Sequence, residues 1–191
     1  MSSLIICFEQ LIHPGWQLPR NGSAWVLTEP KNQNRQGKNY QIELLGGPSF
    51  AFSLDQPEAD PWPFVRAADM KGVRKVCDAL IVMQRDERNY VIALDMKSTN
   101  EGEAERQIAS SRLLMAWLIE LLKLHRHWSG SWTFCGVISF TPRNLERRGT
   151  VARKTPIPVP NSSQWGYPVF RLDNHPRLDL LQLIAAVDRA Q

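Results

Sequence analysis

The chain has 191 residues, 43% hydrophobic and 22% charged, a globular balance that allows one domain with a real core. Its formal net charge of +4 permits nucleic-acid binding without proving it. Three widely spaced cysteines, Cys7, Cys77 and Cys135, argue against a cysteine-built zinc site and a disulfide framework, and a reducing cytoplasm is the simplest setting.

The N-terminal apolar run, Leu4 to Phe8, lacks the basic start and the length of a signal peptide. "SAWVLTEP", "NYQIELL" and "SFAFSLD" read as short strands, because Tyr40, Ile42 and Leu44 alternate, as do Phe50, Phe52 and Leu54. The polar "KNQNRQGKN" separates the first two as a loop. "DQPEADPWPF" carries three prolines and must be irregular. Two β-rich runs then flank "RDERN" within "KVCDALIVMQRDERNYVIALDMKST", the pattern of a hairpin. Both runs are apolar on both faces, which predicts a sheet covered on both sides.

"NEGEAERQIASSRLLMAWLIELLKLHRHW" predicts a helix, with Asn100 as its cap and Glu101, Glu103 and Glu105 near its positive end. From Leu113 onward apolar residues lie on nearly every side, so the helix is expected to be largely buried. The apolar run here is interrupted or flanked by Arg112, Glu120 and Lys123 and falls short of a membrane span. A soluble, cytoplasmic protein is expected. "WTFCGVISF" is the next strand, reached by a crossover and so parallel to the one before the helix. The basic segment "TPRNLERRGTVARKTPIPVP" has five Arg or Lys against one Glu and reads as an exposed loop. "GYPVFRLD" adds a strand and "PRLDLLQLIAAVDRA" an amphipathic helix. The expected organisation is one α/β domain, a central mixed sheet flanked by helices. It comprises an N-terminal elaboration (1–65), a core (66–140), the basic loop (141–160) and a C-terminal strand and helix (161–191).

The hairpin holds three charges among apolar residues: Asp78, Asp95 and Lys97. Buried charge is costly unless it has a partner. Side chains alternate along a strand, so Asp95 and Lys97 share a face. A register with Asp78 opposite Lys97 adds Asp78 to that face and gives a four-residue tip, Asp86 to Asn89. The other face is then wholly apolar: Ala79, Ile81, Met83, Ile92, Leu94 and Met96. Two close carboxylates repel unless one keeps its proton or a cation lies between them. Hard oxygen ligands suit Mg²⁺ or Mn²⁺. A lysine beside such a pair can orient water or offset charge on a phosphate. These are the parts of a phosphodiester hydrolase.

"CDALIV…YVIALDMKS" resembles the PD-(D/E)xK nuclease superfamily, with its restriction-endonuclease-like fold. Asp78 matches the first acidic position, Asp95-Met96-Lys97 the (D/E)-x-K tripeptide, and Ser98 the residue that often follows. The resemblance spans roughly residues 73 to 140. It departs in lacking the proline before the first Asp, where Cys77 stands. It implies metal ligation by Asp78, Asp95 and the Met96 carbonyl, water positioning by Lys97, and support from Gln107 on the following helix. The upstream acidic residue of many members has Glu9 as its candidate, with Glu43 and Glu58 as weaker ones. The resemblance further implies an endonuclease acting on nucleic acid, with DNA favoured, in restriction, repair, recombination or anti-phage defence.

Other readings compete. The three charges can form a structural ion pair within the sheet. The enzyme rival is an RNA-cleaving nuclease, and the non-enzyme rival an adaptor on a nuclease fold. Arg143, Arg147, Arg148, Arg153 and Lys154 are either a solvated loop or contacts to backbone phosphates. No sequence-reading module is visible, so target choice would come from a homodimer or from an ATPase- or helicase-type partner subunit. His125 and His127 fit the end of a helix better than a zinc site.

Overall fold

The structure, a computed structural model, describes residues 3–33, 39–55, 62, 64–66, 70, 72–97, 101–140, 157–162, 164–173 and 175–190. Helix α1 (Leu4–Leu11) opens the chain and buries Leu4, Ile5, Cys7 and Phe8. Strands β1 (Arg20–Asn21), β2 (Ala24–Gln33), β3 (Asn39–Leu45) and β4 (Ser49–Phe52) follow. The hairpin is β5 (Ala79–Arg85) and β6 (Arg88–Lys97). The long helix α2 (Glu101–Arg126) leads to β7 (Trp132–Phe140). The chain closes with β8 (Asn161–Ser162), β9 (Pro168–Asp173), β10 (Arg177–Asp179) and α3 (Leu180–Arg189).

These strands form two mixed sheets, one of four strands in the order β1-β2-β3-β10 and one of six in the order β4-β5-β6-β7-β9-β8. In the larger sheet β4, β5 and β6 are antiparallel neighbours, whereas β6, β7 and β9 run parallel. The β6–α2–β7 crossover is therefore the expected parallel unit. β5 and β6 are buried along almost their whole length, as strands apolar on both faces must be.

The two faces are covered by different elements. α2 lies on the face that carries Asp95. Its Ile108 sits against Gly136, which pairs with Ala93, two residues before Asp95 on the same side. α1 joins that face through Ser3, whose hydroxyl donates to Gln84 Oε1 at 2.8 Å. On the opposite face the Tyr90 hydroxyl donates to Asp188 of α3 at 2.9 Å. The Asp179 carboxylate caps α3 by accepting the Gln182 N–H.

Two expectations are corrected. The hairpin tip is two residues, not four: Arg85 pairs with Arg88, and Asp86 and Glu87 take φ of 47° and 64°. A two-residue turn with both φ values positive matches the right-handed twist of the strands, here without the usual Asn-Gly. Helix α2 is also less buried than its composition suggests. Leu113, Trp117 and Leu124 are 69%, 53% and 68% exposed, a stripe on the side away from the sheet. Trp117 meets only Trp62 among described aromatic rings, with centroids 6.3 Å apart.

Gly136 sets how closely α2 approaches. A methyl there would stand 2.8 Å from Ile108 Cγ2 and 3.3 Å from Val169 Cγ2. Gly136→Ala is expected to lift α2 and destabilise the domain by about 1–3 kcal/mol, the usual cost of overpacking. Chemical denaturation with a retained far-ultraviolet spectrum is the check.

Candidate active site

Pairing of Ala79 with Leu94, carried one residue further, sets Asp78 opposite Asp95 rather than Lys97. The shorter tip is the cause. Because the shift is an even number of residues, Asp78, Asp95 and Lys97 still share one face. Asp78 closes the loop into β5, and its Oδ2 accepts the Met96 N–H. That bond locks the end of one strand to the other at the residue between Asp95 and Lys97.

Asp95 is completely buried. The Lys97 ammonium lies 2.9 Å from its Oδ2, and its Oδ1 has no hydrogen-bond partner among the described residues. Burial pushes Asp95 up to about 6 against the pull of Lys97. Burial, and next the Asp95 charge, hold Asp78 well above the usual carboxylate range, opposed by the Met96 N–H and Lys97. Lys97 Nζ also donates to Gln107 Oε1 at 2.6 Å. Gln107 sits in the second turn of α2, so the close approach of that helix is what brings it to the lysine.

A second chain of bonds anchors the approach to Asp78. The Cys77 N–H donates to Ser111 Oγ at 2.9 Å, and Ser111 Oγ donates to the Gln107 carbonyl at 2.8 Å. Ser111 is fully buried. It therefore joins the residue before Asp78 to the backbone of the residue that holds Lys97. Cys77 itself is a core side chain, with its thiol pushed up by burial.

The structure thus brings together Asp78, Asp95, Lys97 and Gln107, with the Met96 backbone between them. Glu9 stands on the exposed side of α1 and is not among the leading charges acting on the two aspartates. Glu43 is engaged elsewhere, with Arg177 at 2.7 Å. Glu58, Ser98, Asn100, Arg143, Arg147, Arg148, Arg153 and Lys154 lie outside the described residues. His125 and His127 are exposed at the end of α2.

Three residues escaped the sequence reading: Ser111, Asp55 and Glu29. Asp55 raises both aspartates electrostatically, and Glu29 raises Asp95. Asp55 follows β4, whose pairing of Phe52 with Leu80 runs toward the Asp78 end of β5. Its sequence signal was an acid just past a strand. Only the strand order makes that strand the neighbour of β5. For Ser111 the signal was its spacing of four from Gln107 on a helix.

No group of three or more His, Cys, Asp or Glu among the described residues is close enough to hold a metal ion. What the site offers is two carboxylates, oxygen donors of the kind that suit a hard divalent cation. The orphaned Asp95 oxygen fits the same requirement. No helix among the described residues is long and apolar enough to cross a membrane. No family model, curated protein or solved structure matches the chain.

Two outcomes follow from this geometry. The neutral acid is favoured in the folded state, so the Asp95 contribution to stability is complete below about pH 4 and lost as pH rises through about 6. Relative to Asp95→Asn, the metal-free wild type is expected to lose stability as pH rises from 4 to 7. Denaturation curves of both proteins in EDTA across that range read the difference. Ser111→Ala leaves the buried Cys77 N–H without an acceptor and is expected to cost about 1–3 kcal/mol by the same method.

Proposed function

We propose that this chain is a Mg²⁺- or Mn²⁺-dependent nuclease with a restriction-endonuclease-like core, hydrolysing phosphodiester bonds of nucleic acid, with DNA favoured over RNA. One observation carries the reading. A fully buried aspartate, with one oxygen unpartnered among the described residues, shares a sheet face with a second aspartate and a lysine held in place from a helix. A purely structural ion pair needs one carboxylate for one lysine. The second aspartate is surplus to that need and raises the cost of burial. The order α1, β4, β5, β6, α2, β7, with an antiparallel hairpin and a parallel crossover strand, supports the fold reading.

Asp78, Asp95 and the Met96 carbonyl would hold the cation. When bound, the cation supplies charge stabilisation for the phosphate and lowers the pKa of water. The chain's own residues do the rest. Both aspartates are held above the ordinary range, so an arriving positive charge favours their ionised forms. Lys97 is fixed between Asp95 and Gln107. Its ammonium orients the attacking water or stabilises the phosphate oxygen that gains charge. Gln107 keeps the ammonium from collapsing wholly onto Asp95. The surrounding strands exclude bulk water from Asp95 and strengthen each of these interactions.

The test is cleavage of labelled duplex and single-stranded DNA and RNA in Mg²⁺, Mn²⁺ or EDTA. Wild type is expected to cut only with metal. Asp95→Asn and Lys97→Ala are each expected to lose at least about 100-fold in rate while staying folded. Cutting confined to RNA would move the substrate class. Metal-dependent cutting that survives both substitutions would overturn the site.

A further inference from the structure

We propose that Arg171 is a backbone-phosphate clamp for this site, held by Glu105 until a phosphodiester group displaces the carboxylate. The inference rests on the nuclease reading and adds a substrate-binding residue to it. Asp95 pairs with Ile138, and Ile138 pairs with Arg171. Paired residues on neighbouring strands send their side chains to the same side, so Arg171 stands on the Asp95 face, two strands over. At about 4.8 Å per strand, its backbone lies about 10 Å from that of Asp95.

Helix α2 straddles the gap. Gln107 reaches Lys97 on β6, whereas Glu105 reaches Arg171 on β9 at 2.6 Å. Residues two apart on a helix point to nearly opposite sides, so the second turn of α2 runs between the two cations. Lys97 and Arg171 thus flank the second turn of α2 on the face that carries Asp95.

The Arg171–Glu105 pair is only partly buried, with side chains 30% and 27% exposed. Such a pair keeps contact with solvent, so an incoming anion can compete with the carboxylate. A phosphate presents the same planar guanidinium with the paired oxygens that a carboxylate does, and arginine binds either one in a two-pronged way. Glu105 therefore shields the cation in the free protein and is the group the substrate replaces. A structural pair would treat loss of either partner alike. A clamp would not, because Glu105 opposes phosphate binding and Arg171 makes it.

The experiment measures binding of labelled duplex DNA and single-stranded RNA by fluorescence anisotropy in EDTA, over a range of salt. Arg171→Ala is expected to weaken binding about tenfold and reduce the slope of log K against log salt by about one. Glu105→Gln is expected to tighten binding severalfold with the slope retained. Arg171→Lys should keep the slope but lose affinity, since the two-pronged contact is gone. Unchanged affinity and slope in all three variants, with wild type binding normally, would overturn the clamp and leave the nuclease reading standing. Wild type that binds neither nucleic acid at any salt would overturn the clamp, while the metal-dependent cleavage assay decides the nuclease reading separately. Should Arg171→Ala fail to fold, Glu105→Gln alone decides: tighter binding supports the clamp, and unchanged or weaker binding rejects it.

Discussion

A carboxylate with no exposure to water, Asp95, sits in the middle of a sheet whose two central strands are otherwise apolar, and most of the site follows from the need to accommodate it. An ion in such surroundings is expensive unless opposite charge and hydrogen bonds surround it. Lys97, two residues along on the same face, supplies the charge at 2.9 Å. The lysine in turn needs an acceptor, and Gln107 meets it from α2. That reach demands that the helix lie close to the sheet, which Ala93 and Gly136 permit because neither fills the space under Ile108. Ser111 then fixes the helix to the strand entry beside Asp78. The packing of the domain and the arrangement of its polar groups are therefore one problem with one solution.

Neutralisation by a single lysine is incomplete. Asp78 faces the same lysine, and Asp55 and Glu29 add negative potential from neighbouring segments. Both aspartates respond by holding their protons more tightly than usual. A site organised this way carries an electrostatic cost, which the proposed divalent cation would relieve. A stability-driven ion pair would have shed the surplus carboxylate, since apolar replacement of buried charge is often neutral or favourable. The excess acid is thus the feature on which the proposed function rests.

Much of this was legible before any coordinates. The strands, the crossover, the long helix and the three charges follow from periodicity and from the cost of placing ions among apolar residues. Asp78 was correctly set on the Asp95 face even though its partner was off by two residues, because face depends only on parity. The two-residue turn is hidden in the sequence because Asp86-Glu87 lacks the glycine that normally announces such a loop. Apolar residues surround the axis of helix α2, yet Leu113 and Trp117 point away from the sheet, which covers only one side. Composition reports how much apolar surface a helix has, not how many neighbours arrive to cover it.

The sequence by itself determined the chemistry available: two aspartates and a lysine at strand spacing, followed by a helix with a glutamine in its early turns. Those are local facts, set by alternation along a strand and by residue type. Tertiary structure alone decided which groups meet across long separations. It placed Asp55 beside Asp78 through the neighbouring strand β4. It set Ser111 beneath Cys77, and it aligned Arg171 with Asp95 through β7. Strand order and helix height arise from packing the whole core at once, and no local pattern encodes them.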